Sequence, residues 1–179
     1  MTAFPRNLRP HWVKSAFTLH GADNYEATRG LGKFIYLSRT FGTMYFSRPD
    51  EQRSKWRGVR YMGSGMGVGL ALAAPIGGSK GSVDYPLSGD DDFGALFFEH
   101  NVPPFLEQLS GCTGELWCPG GSVTAGSYSF FNVSFWDAGR HIAYAWQRGA
   151  GVTIGSIAGV SLTKYSIEVT GVFRGGPPI

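Results

Sequence analysis

Apolar and polar residues alternate with a period of two along most of the chain, a pattern typical of β-strands whose two faces meet different surroundings. This alternation predicts strands over residues 12–19, 33–47, 57–74 and 152–173, the last of which holds one or two strands. Residues 33–47 form either two strands that meet near Gly42 or one bulged strand. The predicted fold class is mainly β, an antiparallel barrel or sandwich with one or two short helices.

The clearest local signal is a β-hairpin. Residues 127–136 and 141–146 are rich in aromatic and β-branched residues, and they flank the sequence Asp137-Ala138-Gly139-Arg140. A short connection that contains glycine, placed between two such segments, favours an antiparallel hairpin. We therefore expect the two segments to be neighbours in the sheet.

Short helices and a loop interrupt the strands. The segment that begins at Ser47 carries a proline and two acidic residues, which predicts one or two helical turns with Ser47 as N-cap. Residues 103–111 start with two prolines and end at a glycine, which predicts a second short helix. Residues 75–92 are rich in proline, glycine, serine and aspartate and predict a loop. Residues 172–179 predict a frayed tail.

The composition indicates one globular domain over residues 1–179. Charged residues make up only 16 %, whereas the chain holds 27 glycines and 15 % aromatic residues. Many glycines together with many aromatics favour tight turns and closely apposed strands around a bulky core. No apolar run has the length of a signal peptide or of a transmembrane helix. The location is therefore left open between the cytoplasm and a non-classical export route.

The most unusual feature is a strand with one bare face. Four glycines fall at every second position, and they are Gly63, Gly65, Gly67 and Gly69. Alternate residues of a strand share a face, and each interior glycine costs about 0.5–1 kcal/mol relative to alanine. We therefore expect this strand to be central, with its glycine face closely approached by aromatic rings, by the similar segment 149–155 or by a ligand. The alternatives are a smooth floor for a flat ligand and strands that insert into a membrane.

The charge is distributed unevenly, although the net charge is only +3. Residues 1–60 hold 11 Lys+Arg and 4 Asp+Glu, and residues 61–179 hold 5 and 9. Basic and aromatic residues alternate around Trp56, Arg57 and Arg60, but they are too few to favour a nucleic-acid partner. The candidate ligand-binding residues are Trp56, Arg57, Arg60, Gly65, Gly67 and Trp117.

Local motifs for catalysis or metal binding are absent from the sequence. The four histidines form no metal-binding pair, and Asp90-Asp91-Asp92 fits a solvated turn better than a calcium loop. Cys112 and Cys118 lack zinc-knuckle spacing, so free thiols, a disulfide and a metal site all stay open. Among the acidic residues, Glu99 is the one most expected to be buried. We predict no metal and no cofactor.

Three functions are compatible with these features. The first is a non-catalytic interaction domain that binds a ligand, a partner protein or a membrane surface through its glycine-faced strands and aromatic residues. The second is a small hydrolase of polysaccharide or peptide with dispersed acid and base residues, which leave no motif. The third is a structural subunit that self-assembles into a homo-oligomer. The missing motifs favour a protein that is not an enzyme.

Overall fold

The structure is a computed structural model that describes residues 11–31, 34–71, 77–84, 94–123, 126–154 and 159–176. Within these residues, antiparallel strands form a closed barrel, which confirms the mainly β fold class and selects the barrel over the sandwich. The strands are β1 (Trp12–Gly30), β2 (Ile35–Ser47), β3 (Arg57–Ala71), β4 (Gly77–Asp84), β5 (Ala95–Glu99), β6 (Thr113–Val123), β7 (Gly126–Asp137), β8 (Arg140–Ile154) and β9 (Gly159–Arg174). Two 3-10 helices, Arg53–Lys55 and Leu106–Leu109, complete the described elements.

The nine strands occupy eight positions around the barrel. The order is β1, β2, β3, β9, β6, β7, β8, and the last position, between β8 and β1, is shared by β4 and β5. The short β5 pairs with the first residues of β1, and β4 pairs with its later residues from Gly21 to Thr28. Closure pairs the described strands around the whole ring, so none of them presents a long free edge.

The predicted hairpin is confirmed. Strands β7 and β8 pair in antiparallel register, and Asp137 and Arg140 are the last paired residues. The two residues between them, Ala138 and Gly139, have φ angles of 47° and 81°. Positive φ at both positions is typical of the type I′ turn, whose twist matches that of the flanking strands.

Other elements differ from the sequence predictions. The segment predicted as a loop over 75–92 contains β4, which pairs with β1 and β8 through its backbone, and residues 85–93 lie outside the described part. Strand β2 is one continuous strand, and the bulge lies in β1, between Leu19 and Gly21. Strand β9 runs to Arg174, and the backbone N–H of Gly175 donates to the Trp56 carbonyl at 2.7 Å, so pairing continues into the predicted tail.

Both predicted helices are reduced to single 3-10 turns. Ser47 ends β2 and does not cap a helix, because its hydroxyl lies 2.7 Å from Nε2 of His20 and donates to the Arg48 carbonyl. The first 3-10 helix starts after Gln52, which makes no capping hydrogen bond with its side chain. In the second, Leu106 and Leu109 are fully buried against the core and cap one end of the barrel.

The hydrophobic core fills the capped end. The largest side chains with almost no solvent exposure are Phe46, Phe98, Phe135, Leu19, Met44 and Leu96. They come from β1, β2, β5 and β7, and the other strands of the ring add Val59, Leu116, Ile142 and Ile167 to the core. We call the opposite end, where β3 carries Gly65 to Gly69, the glycine-rich end.

Candidate binding surface

The polarity of the two faces of β2, β3 and β9 inverts between the ends of the barrel. Near the capped end the inward residues are apolar, as at Met44, Val59 and Val169. Toward the glycine-rich end the inward residues become hydroxyl-bearing or bare, as at Ser38 and Gly67. Over the same stretch, exposed apolar residues appear on the outward face, interspersed with Arg39, Ser64, Lys164 and Ser166. At this end the strands are therefore lined by polar or small groups inside and carry exposed apolar groups outside.

Outward apolar residues form a patch that we call the outer apolar wall. Its members are Ile35, Leu37, Met66, Val68 and Leu162, and Trp117 lies at its margin beyond Lys164. Ile35 faces Val68 and Leu37 faces Met66 across β2 and β3, and Leu162 of β9 follows Val68 in the same row. The side chains of the first five are between 40 % and 57 % exposed. A contiguous exposed patch of this kind marks an interaction surface rather than a scatter of single apolar residues.

Trp117 extends the wall onto β6. It lies opposite Lys164 of β9, which in turn lies opposite Met66. The Lys164 ammonium is 5.0 Å from the centre of the Trp117 ring and 2.8 Å from a carboxylate oxygen of Glu115. The tryptophan ring is thus held at the margin of the wall, with a charged pair beside it.

Inside the barrel, at the level where the apolar core ends, the Glu26 carboxylate accepts hydrogen bonds from two hydroxyl groups. The hydroxyls of Ser38 and Tyr165 each donate to Oε1 of Glu26 at 2.5 Å. One row further on, the Tyr36 and Thr163 hydroxyls are 2.5 Å apart. Burial, followed by the nearby Glu26 charge, raises the pKa of the Tyr165 hydroxyl far above its usual range. Tyr165 is therefore a fixed hydrogen-bond donor that holds the carboxylate.

This cluster also explains the bare face of β3. The glycines point inward, and the rings of Tyr165 and Tyr36 lie directly over Gly65 and Gly67. Strand β3 sits between β2 and β9, so the predictions of a central strand and of close approach by aromatic rings are confirmed. The rings occupy the space that a flat ligand on this face would need. The segment 149–155 belongs to β8 as far as Ile154, on another side of the barrel.

A cleft of about 540 Å³ opens on the outer surface of the barrel, and it lies closer to the capped end than the wall does. Two rows of side chains line it across β1, β2 and β3. One row is polar and consists of Asp23, Thr43 and Arg60; the other is apolar and consists of Tyr25, Phe41 and Met62. The Tyr25 and Phe41 ring centres are 5.0 Å apart. We call this cleft the outer groove.

The candidate residues predicted from the sequence lie in different places. Arg60 lines the outer groove and Trp117 borders the wall, whereas Gly65 and Gly67 face the interior. Trp56 and Arg57 lie near the capped end and contact Glu51: the Trp56 indole donates to its carbonyl, and Arg57 donates to its carboxylate at 3.2 Å. Sequence reasoning missed Asp23 and Tyr25, because the second half of β1 has no apolar inner face by which a strand could be predicted there.

The acidic and thiol groups that could act in catalysis are Glu99, Cys112 and Cys118. Glu99 accepts hydrogen bonds from Asn101 and Arg140; desolvation raises its pKa, but these contacts outweigh it and hold the pKa below the usual range. Cys112 and Cys118 are free thiols. Burial, followed by the Glu26 charge, raises the pKa of Cys118 to about 12, so it is a protonated, weakly nucleophilic thiol. The described residues contain no group of acidic, histidine and cysteine side chains that could hold a metal ion.

Two partly buried histidines predict a pH dependence of stability. His20 stacks on Trp56 with 4.6 Å between ring centres, and His141 stacks on Trp136 with 4.7 Å. Burial lowers the pKa of both below the ordinary 6.5, so the unfolded chain takes up protons more readily. We expect the free energy of unfolding to fall as the pH drops from 7 to 5, measured by urea denaturation. His141→Phe should flatten this slope, and an unchanged slope would contradict the assignment.

Comparison of the chain with protein-family models, with curated proteins and with solved structures gives no match. No helix of the described residues is both long and apolar enough to cross a membrane.

Proposed function

We propose that this protein is a non-catalytic binding domain that docks, glycine-rich end first, on the surface of an anionic lipid membrane. The observation that carries the proposal is the outer apolar wall on strands whose inner face is polar. The wall continues to Leu31 and Phe34 at the β1–β2 connection, where both side chains are at least half exposed. Apolar groups outside and polar groups inside suit a barrel end whose outer surface meets acyl chains.

The charges around the wall favour a lipid surface over a protein partner. Arg29 of β1 lies opposite Leu37, and Arg39 lies on the same outer face of β2. The described residues offer no ion-pair partner to either guanidinium, so both are available to lipid phosphates. Each basic side chain near an anionic membrane contributes about 1 kcal/mol, and long basic side chains keep their charge at the headgroups while their stems lie along apolar surface.

The apolar contribution is large enough to decide binding. Full burial of a leucine or methionine side chain stabilises by about 1.5–3 kcal/mol. Since Leu37 and Met66 are about half exposed, transfer of each from water to lipid contributes about 1 kcal/mol. The wall as a whole therefore supplies several kcal/mol, which together with the two arginines suits reversible binding to a membrane surface.

The test is vesicle binding by cosedimentation. Vesicles contain phosphatidylcholine alone or a mixture of phosphatidylcholine and phosphatidylglycerol. We expect the protein to bind the anionic mixture more tightly, with binding weakened by salt. The double variant Leu37→Gln/Met66→Gln should bind about 30-fold more weakly, which corresponds to the loss of about 2 kcal/mol. Because both side chains point outward, the variant should keep its thermal midpoint.

The matched control is Val13→Gln/Phe105→Gln, which removes two exposed apolar side chains away from the wall. It should bind vesicles like the wild-type protein. Equal weakening by both double variants would contradict docking through the wall. The protein could instead fail to bind vesicles but form a dimer in sedimentation equilibrium, and the dimer could be lost in Leu37→Gln/Met66→Gln. That result would identify the wall as a self-association surface and contradict membrane docking.

A further inference from the structure

We infer that the outer groove is a subsite for the zwitterionic headgroup of a phospholipid, with Arg60 holding the phosphate and Asp23 with Tyr25 holding the cationic group. The inference rests on the proposed membrane docking, but the groove can be tested without a membrane. It is carried by the two rows of side chains that the barrel register aligns across β1, β2 and β3.

Arg60 is prepared for a phosphate. Its guanidinium carbon lies 4.5 Å from the centre of the Phe173 ring, so the planar group is stacked and oriented while its N–H groups remain at the edge. Within the described part of the chain, no carboxylate forms an ion pair with it. The Thr170 hydroxyl lines the groove and can donate to a further phosphate oxygen, whereas the Thr43 hydroxyl and the Asp23 carboxylate are both hydrogen-bonded to the Tyr45 hydroxyl. A planar guanidinium with an adjacent hydroxyl donor matches a phosphodiester.

The other end of the groove favours a cation. Asp23 lies two strands away from Arg60 in the same row, about 10 Å apart at the usual strand spacing. In the next row, the Tyr25 and Phe41 rings offer faces to a quaternary or primary ammonium group. Glu168 of β9 lies opposite Met62, at the Arg60 end of the groove, so the cationic end is defined by Asp23 and the two rings alone. A simple anion would be opposed by Asp23, whereas a zwitterion satisfies both ends.

The experiment uses dihexanoylphosphatidylcholine below its critical micelle concentration, so that no bilayer or micelle is present. Binding is followed by ¹H–¹⁵N NMR on the full chain. We expect shifts that concentrate on the backbone amides of Tyr25, Phe41 and Met62. Arg60→Gln should weaken binding of the short lipid at least tenfold, and Tyr25→Ala should weaken it at least fivefold. Arg174→Gln replaces an exposed arginine outside the groove and should leave this binding unchanged.

Inorganic phosphate and choline serve as separate probes. Both should bind much more weakly than the lipid, because each satisfies one end of the groove only. Phosphate that binds as tightly as the lipid would replace the inference by a simple anion site, and absence of lipid binding would overturn it. The wall variant Leu37→Gln/Met66→Gln separates the two proposals: it should lose vesicle binding and keep binding of the short lipid. Loss of short-lipid binding in that variant would contradict the independence of the groove.

Discussion

Replacing Gly65 with valine is expected to lower the free energy of unfolding by about 3 kcal/mol or more. A side chain at this position would overlap the carbonyl oxygen of Lys164 and come within 2.8 Å of the Tyr165 ring. The backbone of β9 cannot move without breaking its pairing with β3, and a shift of Tyr165 would break its hydrogen bond to Glu26. Overpacking with backbone displacement costs about 1–3 kcal/mol, occasionally more, and loss of the Tyr165 hydrogen bond to the partly buried Glu26 carboxylate adds to it.

Gly171→Val is the matched control for this prediction. Gly171 also lies in a strand, on β9, but a side chain there would meet no atom within 4 Å. Valine favours strands, so this variant should keep or slightly raise the thermal midpoint. The two variants are compared by thermal and urea unfolding. Equal midpoints for Gly65→Val and Gly171→Val would rule out the close approach of Tyr165 and the β9 backbone.

Phe98→Ala is expected to cost about 3–5 kcal/mol, the range for truncation of a fully buried aromatic residue. Phe98 has no solvent exposure, although it lies in the five-residue strand β5. This strand has few backbone hydrogen bonds with which to hold its place between β1 and β8. The buried ring therefore anchors the strand that completes the ring of pairs at the capped end.

The control for Phe98 is Phe105→Ala, because Phe105 is of the same type and is 51 % exposed. Its loss should change the unfolding free energy by about 0.5 kcal/mol at most. Urea denaturation of both variants gives the comparison. A loss of less than about 1 kcal/mol in Phe98→Ala would mean that β5 is not anchored through its ring.

The strands that sequence reasoning found are those with unambiguous local signals. The β7–β8 hairpin is predicted by a turn whose positive φ angles favour glycine. Strand β3 is predicted by the strict alternation of glycine with larger residues. The core positions at the capped end follow the ordinary rule of apolar residues inside. For these elements, the local pattern and the barrel agree.

The missed elements are those where the interior of the barrel is polar. The second half of β1 places Asn24 and Glu26 inward and Tyr25 outward, so the usual signal of an apolar inner face disappears. Strand β4 is made largely of glycine and serine and resembles a loop in composition. Strand β4 pairs with β1 and β8, and the second half of β1 pairs with β4 as well as with the adjacent β2. The pairings with strands distant in sequence are not visible in a window of local residues.

The candidate site was predicted only in part for a related reason. Arg60 and Trp117 could be singled out as exposed functional types, but the rows that contain them exist only in the register between strands. Asp23, Thr43 and Arg60 come from three strands and become neighbours through two pairings. Glu26 gave no signal because its hydroxyl partners lie 12 and 139 residues away in the chain.

The place of β9 in the ring has a consequence for synthesis on the ribosome. Strand β9 lies between β3 and β6, so both strands keep an open edge until Gly159–Arg174 has emerged. Almost 90 residues separate the end of β3 from the start of β9, which at about 5–20 residues per second takes roughly 4–18 seconds. During that interval the nascent chain displays the unpaired edge of β3 and, once Thr113–Val123 has been made, that of β6, beside the apolar residues of the future wall. A chain truncated before β9 is therefore expected to aggregate by edge pairing rather than to persist as a smaller barrel.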